Sequence, residues 1–231
     1  MGVWCVLMHY THCCRYVKNR VMRAEINLYN EDCLQAMKAM QDKQFDLAIV
    51  DPPYGLDKDL KGGKSGFSGS SLNGLVDKGW DIKPPNEYWT QLFRISKNQI
   101  VWGGNYFIEN LRSTKCFISW DKMNGTNDMS DFELAWTSFD KGCRRFSMHH
   151  FSGGYDKKIH PTQKPTKLYK WTLEKFANQG DKIIDTHLGS GSIAIACWDM
   201  GFDLTAYEID KEYYDKACKR FEQHSKQMQL W

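Results

Sequence analysis

Short apolar segments alternate along most of this chain with stretches patterned for helix, and that alternation constrains the fold more than any other feature. Residues 26–29, 47–50, 99–102, 182–185 and 204–208 have the length and apolar content of buried parallel strands. Between them, residues 32–40 place Leu34 and Met37, with Ala36 and Met40, on one helical face. Residues 167–177, 192–199 and 211–227 also read as helices. Strands separated by helices must cross over to pair in parallel, so the expected fold class is α/β, a doubly wound Rossmann-like sheet. The chain contains no internal repeat.

Two segments break the alternation. Residues 55–87 hold seven glycines with serines and lysines, too long and too glycine-rich for an ordinary connection, and are expected to be a flexible, functional loop following the 47–50 strand. Residues 115–155 are aromatic and basic, and the alternating stretch 132–139 suggests hairpin structure. This segment is expected to be a small insertion on the sheet edge. The first 21 residues read as a loosely ordered extension, with Met22 a candidate start. The expected layout is therefore an extension, 1–23, and one domain, 24–231.

Composition limits the partners. With 231 residues, 42% hydrophobic and 26% charged, the chain is an ordinary globular one. No run approaches the ~20 apolar residues of a membrane span. Eight cysteines without CxxC spacing read as reduced cytosolic thiols, so a cytoplasmic location is expected. The cluster Cys5, His9, His12, Cys13 and Cys14 lacks a second ligand pair at zinc-finger spacing, so no metal site is expected. The net charge of +3 conceals a distribution: residues 1–23 carry +4, residues 141–170 carry +7, and the remainder carries −8. A basic segment on an acidic body fits a local polyanion site, and a solvated lysine face fits it too.

Two motifs carry chemistry. Residues 185–192, Asp-Thr-His-Leu-Gly-Ser-Gly-Ser, follow a predicted strand and open a predicted helix, and Glu208 ends the next strand. Glycines allow close backbone approach, the helix start offers free amides, and a strand-end carboxylate can accept ribose hydroxyls. Residues 51–54, Asp-Pro-Pro-Tyr, end the 47–50 strand, where open α/β sheets bind their ligands. Two prolines supply carbonyls without amide donors, so Asp51 and the neighbouring carbonyls form a rigid acceptor cluster beside the Tyr54 ring. Such a cluster suits an NH2 group on a stacked planar base. A plain strand-ending turn is the alternative.

Together these residues resemble the S-adenosylmethionine-dependent amino-methyltransferases of DNA, over about residues 26–221. Asp51-Pro52-Pro53-Tyr54 is similar to the family's catalytic DPPY, residues 185–192 to its cofactor loop DPFxGSG, and residues 160–165, His-Pro-Thr-Gln-Lys-Pro, to its HPTxKP signature. The motif order looks like the circularly permuted β type, with 115–155 as a target-recognition insertion. The resemblance implies S-adenosylmethionine held by Asp32, Lys164, Asp185, His187, Gly189, Ser190, Gly191 and Glu208, with Lys164 near the cofactor carboxylate. It implies double-stranded DNA as partner, with base flipping onto Tyr54. Arg144, Arg145, Lys157 and Lys158 are the candidate phosphate contacts, and Trp120, Trp136 and Phe146 are aromatic neighbours or core. Thr186 and His187 depart from the usual Pro and Phe, and His187 is expected in the pocket wall. Asp51 favours N6 of adenine; N4 of cytosine, an RNA or protein amide, or a noncatalytic nucleic-acid binder with a decayed cofactor site are the alternatives. No nuclease motif is apparent, which favours a solitary methyltransferase. So small a recognition segment implies a short site or help from a second copy in a homodimer.

Overall fold

The computed structural model describes residues 13–17, 24–56, 81–124, 130–149, 159–160 and 162–227. In chain order the elements are β1 (Cys13–Val17), β2 (Glu25–Tyr29), α1 (Cys33–Ala39), β3 (Phe45–Val50), α2 (Asn86–Ile95) and β4 (Ser96–Trp102). A short 3-10 turn (Gly104–Tyr106) leads to β5 (Phe117–Asp121), β6 (Phe132–Thr137) and β7 (Arg144–Ser147). The chain closes with α3 (Thr166–Phe176), β8 (Lys182–Asp185), α4 (Ser192–Met200), β9 (Asp203–Tyr207) and α5 (Lys211–Gln227).

These strands form a nine-stranded sheet in the order β1-β2-β9-β8-β3-β4-β6-β5-β7. Strands β2, β9, β8, β3 and β4 are mutually parallel, so their carboxyl ends emerge on one edge of the sheet. Side-chain alternation divides the core in two. Leu47, Ile49, Ile100, Trp102, Ile183 and Leu204 point to the face covered by α3, α4 and α5. Ala48, Val50, Val101, Ile184 and Tyr207 point to the face covered by α1 and α2. Strands buried on both faces read as continuous apolar runs, as Leu47–Val50 and Ile100–Trp102 do, whereas β2 alternates buried and half-buried residues. The fold is Rossmann-like and doubly wound.

Helix α4 is apolar all round, with Ser192–Trp198 buried, because α3 and α5 flank it on the sheet. Helix α2 was not among the expected elements. Its buried Tyr88, Trp89, Leu92 and Ile95 follow helical spacing, but Pro84-Pro85 precede it and β4 begins at the next residue. No loop separates the two periods.

Two expectations about organisation are corrected. Part of the presumed extension belongs to the fold: β1 pairs antiparallel with β2, and buried Tyr16 packs edge-on against Phe221 of α5 at 4.7 Å. The apolar alternation of this strand was masked by Cys and Arg. Cys5, His9 and His12 lie outside the described residues, as does most of the glycine-rich loop. Within the segment 115–155, expected to be an insertion, strands β5, β6 and β7 form one end of the sheet and are integral to it. Strand β6 pairs antiparallel with β4, β5 with β6, and β7 runs parallel to β5. Trp120 and Trp136 are core residues, 3% exposed each, with indole nitrogens donating to Met148 O and Arg112 O. Phe146 packs half-buried against Trp171. Among the described residues no helix is long and apolar enough to cross a membrane.

Candidate active site

The carboxyl ends of the parallel strands open into a cleft of about 1020 Å³. Strands β3 and β8 are neighbours, pairing Leu47 with Ile183 and Ala48 with Ile184, so Asp51 and Asp185 leave the sheet side by side. The acceptor cluster and the glycine loop, more than 130 residues apart in the chain, thus line one cavity.

On the β8 side, the chain turns at Gly189 (φ 53°) and Gly191 (φ 72°), both in the left-handed region that favours glycine. A Cβ on Gly191 would also press on Ala217 of α5 at 3.2 Å. Glu208 holds this loop: its carboxylate accepts from the Gly189 amide at 2.8 Å and from the Asp210 amide at 3.0 Å. Glu208 itself lines the cleft, and a carboxylate has about four acceptor sites, more than these amides use. Arg220 of α5 donates to the Ser190 carbonyl at 2.7 Å and to Ser192 Oγ at 3.0 Å, clamping the loop from behind. Ser190 Oγ itself bonds Ser192 Oγ at 3.1 Å.

Asp185 is buried, accepting the His187 amide at 3.0 Å; desolvation and then the charges of Asp51 and Glu208 push its carboxyl up to about 8. Thr186 and His187, the departures from the family pattern, form a hydrogen-bonded chain with α2. Tyr88 Oη and Thr186 Oγ1 are 2.7 Å apart, and Thr186 Oγ1 lies 2.9 Å from His187 Nδ1. Burial pulls the imidazole down to about 3, so at neutral pH His187 is an uncharged part of the cleft wall. Asp32 caps α1 by accepting the Leu34 amide at 2.8 Å and lines the same end of the cleft.

On the β3 side, Asp51 is held at both oxygens. Tyr54 Oη donates to Oδ1 at 2.7 Å and Lys164 Nζ to Oδ2 at 2.5 Å. The Tyr54 ring is stacked on Tyr106 at 4.6 Å and 18°, with Phe107 edge-on at 6.0 Å. Burial and the adjacent Asp51 charge raise its phenol well above the ordinary tyrosine range. Room for this ring comes from Gly103 (φ 65°), whose Cβ would stand 2.2 Å from Tyr54 Cε1. Gly104 lies equally close to Trp136, where a Cβ would meet the Trp136 Cβ at 2.5 Å. Asp81 ties down the start of the glycine-rich loop by accepting the Gly55 and Leu56 amides at 2.8 and 2.5 Å.

Lys164, expected near the cofactor carboxylate, sits on the Asp51 side of the cleft. Its ammonium is buried between Asp51 and Glu133, the latter at 3.2 Å. A buried ammonium seeks the nearest carboxylates, and the chain supplies two. Burial opposes its charge, but those two carboxylates outweigh it and raise its pKa above the ordinary lysine range. The basic candidates divide differently from expectation. Arg144 and Arg145 are exposed at the start of β7, the outermost strand. Because β7 runs parallel to β5, and hence to β4, its start lies at the end of the sheet away from the cleft, and neither arginine lines it. Lys157 and Lys158 lie outside the described residues.

Gly103, Tyr106, Glu133, Tyr88 and Arg220 belong to this site and were not singled out in the sequence. Gly103-Gly104 directly follow a recognised strand, so the strand-end rule had the signal for them. Nothing local distinguishes Glu133 or Arg220 from surface charges.

A family model described as DNA methylase, which spans N6 and N4 enzymes, matches residues 101–219. The chain belongs to this DNA methylase family. It is an S-adenosylmethionine-dependent DNA methyltransferase. Similar proteins include the type II methyltransferase M2.DpnII of Streptococcus pneumoniae, 25% identical over 255 residues, 90% of this chain and 91% of that protein. Type II methyltransferase M.HpaI of Haemophilus parainfluenzae is 23% identical over 242 residues, 83% of this chain and 72% of that one. Among solved structures, the M1.HpyAVI–SAM complex superposes with a TM-score of 0.58 at 22% identity, covering 84% of this chain and 98% of that chain. The cytosine-N4-specific PvuII DNA methyltransferase gives 0.53 at 13% identity, covering 87% and 90%. At these identities the likeness shows the methyltransferase fold.

The cleft of this DNA methyltransferase fits the cofactor's chemistry. Asp32, Asp51 and Glu208 line it, and acidic groups suit a cationic sulfonium, whereas Asp185 and Gly191, expected at the cofactor, do not line it. Its volume lies at the upper end of the range for ligand pockets.

Proposed function

We propose that the protein methylates the N6 amine of adenine in double-stranded DNA, as a permuted β-type enzyme. The observation that carries this reading is the adjacency of Asp51-Pro-Pro-Tyr54 and the residue 185–192 loop at the ends of the paired strands β3 and β8. The chain order, catalytic motif before cofactor loop, supports the permuted type.

S-adenosylmethionine supplies a methyl group on a sulfonium, an electrophile that needs no further activation. The protein's task is therefore the nucleophile. An exocyclic amine shares its lone pair with the ring and is weakly nucleophilic. Asp51 and the Pro52 carbonyl accept its two hydrogens, draw the nitrogen toward tetrahedral geometry and aim its lone pair at the methyl. Tyr54 stacks on the extruded base, an interaction worth roughly 1–3 kcal/mol, offsetting part of the unstacking cost. On the other side, Glu208 receives ribose hydroxyls, the Gly189-Ser190 turn meets the cofactor chain, and Asp32 and His187 flank the cofactor's base. Lys164 acts on Asp51 rather than on the cofactor. Arg144 and Arg145 reach phosphates flanking the target rather than the flipped nucleotide. The modest recognition surface fits a short target site or a pair of chains.

The N4-cytosine reading stays as the alternative, since a cytosine-N4-specific enzyme shares the fold. Methylating DNA with the purified protein and identifying the nucleoside by mass spectrometry separates them. N6-methyladenine is expected, and N4-methylcytosine would overturn the assignment. Asp51→Ala is expected to abolish transfer while cofactor affinity stays within severalfold; wild-type turnover in that variant would remove Asp51 from its role.

A further inference from the structure

Beside Asp51, along the wall of the same cleft, runs a row of charges to which neither cofactor loading nor base stacking assigns a role. Lys164, with its side chain 2% exposed, contacts Asp51 Oδ2 at 2.5 Å and Glu133 Oε2 at 3.2 Å. Glu133 Oε1 in turn takes Lys122 at 2.8 Å. Each ammonium lies over an indole, Lys164 over Trp102 at 5.4 Å and Lys122 over Trp120 at 5.5 Å. The order Asp51, Lys164, Glu133, Lys122 alternates in sign and sums to zero. Glu133 enters from β6 while Asp51 follows β3, so the pairing of β6 to β4 and β4 to β3 brings them together.

Taking an ammonium out of water costs several kcal/mol, and one carboxylate in contact would serve to offset it. A second carboxylate therefore changes what Lys164 does to the first. Facing Asp51 alone, the ammonium would neutralise the group that must accept the substrate amine's hydrogen. Shared with Glu133, it orients Asp51 and leaves much of the negative charge exposed to the cleft. In a poorly solvated pocket that difference in charge is worth more than in water. The lysines hold Glu133 ionised: although burial favours the neutral acid, Lys164 and Lys122 bring its carboxyl down to about 2.

We propose that Glu133 is a positioning residue for methyl transfer, one that draws on the Lys164 ammonium and so keeps Asp51 oriented yet only partly neutralised. The proposal rests on Asp51 as the amine acceptor. It is tested by single-turnover methyl transfer to DNA at saturating cofactor, with cofactor affinity measured by calorimetry, in Glu133→Gln and Glu133→Asp. Glutamine keeps the shape and loses the charge; aspartate keeps the charge and is one methylene shorter. The expected order of rate is wild type, then Asp, then Gln, with Gln at least tenfold below wild type and cofactor Kd within twofold in both. A purely structural role predicts the reverse, with near-isosteric Gln the milder change. Gln equal to or faster than Asp, or a rate loss matched by lost cofactor affinity, overturns the proposal. If Asp51→Ala itself retains activity, the acceptor assignment fails first, and that outcome is distinguishable because it does not depend on Glu133.

Discussion

Replacing Gly103 by alanine tests how the stacking tyrosine is held. Two costs separate at this position. The first is conformational: at φ 65° a side chain sits in the left-handed region, a penalty of about 1–2 kcal/mol. The second is steric, because the added Cβ would lie 2.2, 2.5 and 2.9 Å from three atoms of the Tyr54 ring. Something must move, and the ring is the mobile partner. Its displacement breaks the 2.7 Å hydrogen bond from Tyr54 to Asp51 and the 4.6 Å stack on Tyr106. A hydrogen bond to a charged group is worth ~1.5–3 kcal/mol, which as lost transition-state stabilisation is about 10- to 150-fold in rate. Gly180 provides the control, with φ 92° and nothing within 4 Å of its added Cβ. Gly180→Ala carries the strain alone and is expected to lower Tm by roughly 2–8 °C with an unchanged rate. Gly103→Ala should show a similar or larger fall in Tm together with the rate loss, read by transfer of labelled methyl to DNA in a single turnover. Equal rates in the two variants would refute the idea that Gly103 makes room for a catalytically placed Tyr54.

Three further outcomes are expected. Glu208→Ala should weaken S-adenosylmethionine binding by about 10- to 100-fold, the worth of hydrogen bonds to a charged acceptor, and an unchanged dissociation constant by calorimetry would count against the ribose role. Asp185, raised from 3.8 to about 8, gives stability that is full below the lower value and lost as pH rises through the upper one. The Tm of Asp185→Asn should therefore gain on that of the wild type as the pH is raised across that interval, and parallel curves would exclude the raised carboxyl. The double variant Arg144→Ala with Arg145→Ala should reduce the slope of log affinity for DNA against log salt by about 2, at about 0.9 per phosphate contact, leaving the single-turnover rate intact. An unchanged slope would take both residues out of the footprint.

Local pattern carried the catalytic half of this protein. The five parallel strands were legible as short apolar segments, continuous in the centrally placed β3 and alternating in β2, and the two motifs were legible because each is a contiguous turn whose geometry its own residues dictate. Glycines 189 and 191 and prolines 52 and 53 act on their own backbone, so spacing alone exposes them. Elements whose period is short or interrupted were harder. Strand β1 hides its one core residue, Tyr16, among Cys and Arg, and α2 runs into β4 without a punctuating turn. Only the tertiary structure decided which charges meet. Lys164 contacts Asp51 across 113 positions, and Glu133 reaches the same ammonium because β6 is hydrogen-bonded to β4. The same pairing turned an expected insertion into part of the sheet and carried Arg144 and Arg145 away from the cleft. Sequence spacing is blind to such outcomes, because a charged side chain's role depends on which desolvated partner the sheet order brings beside it.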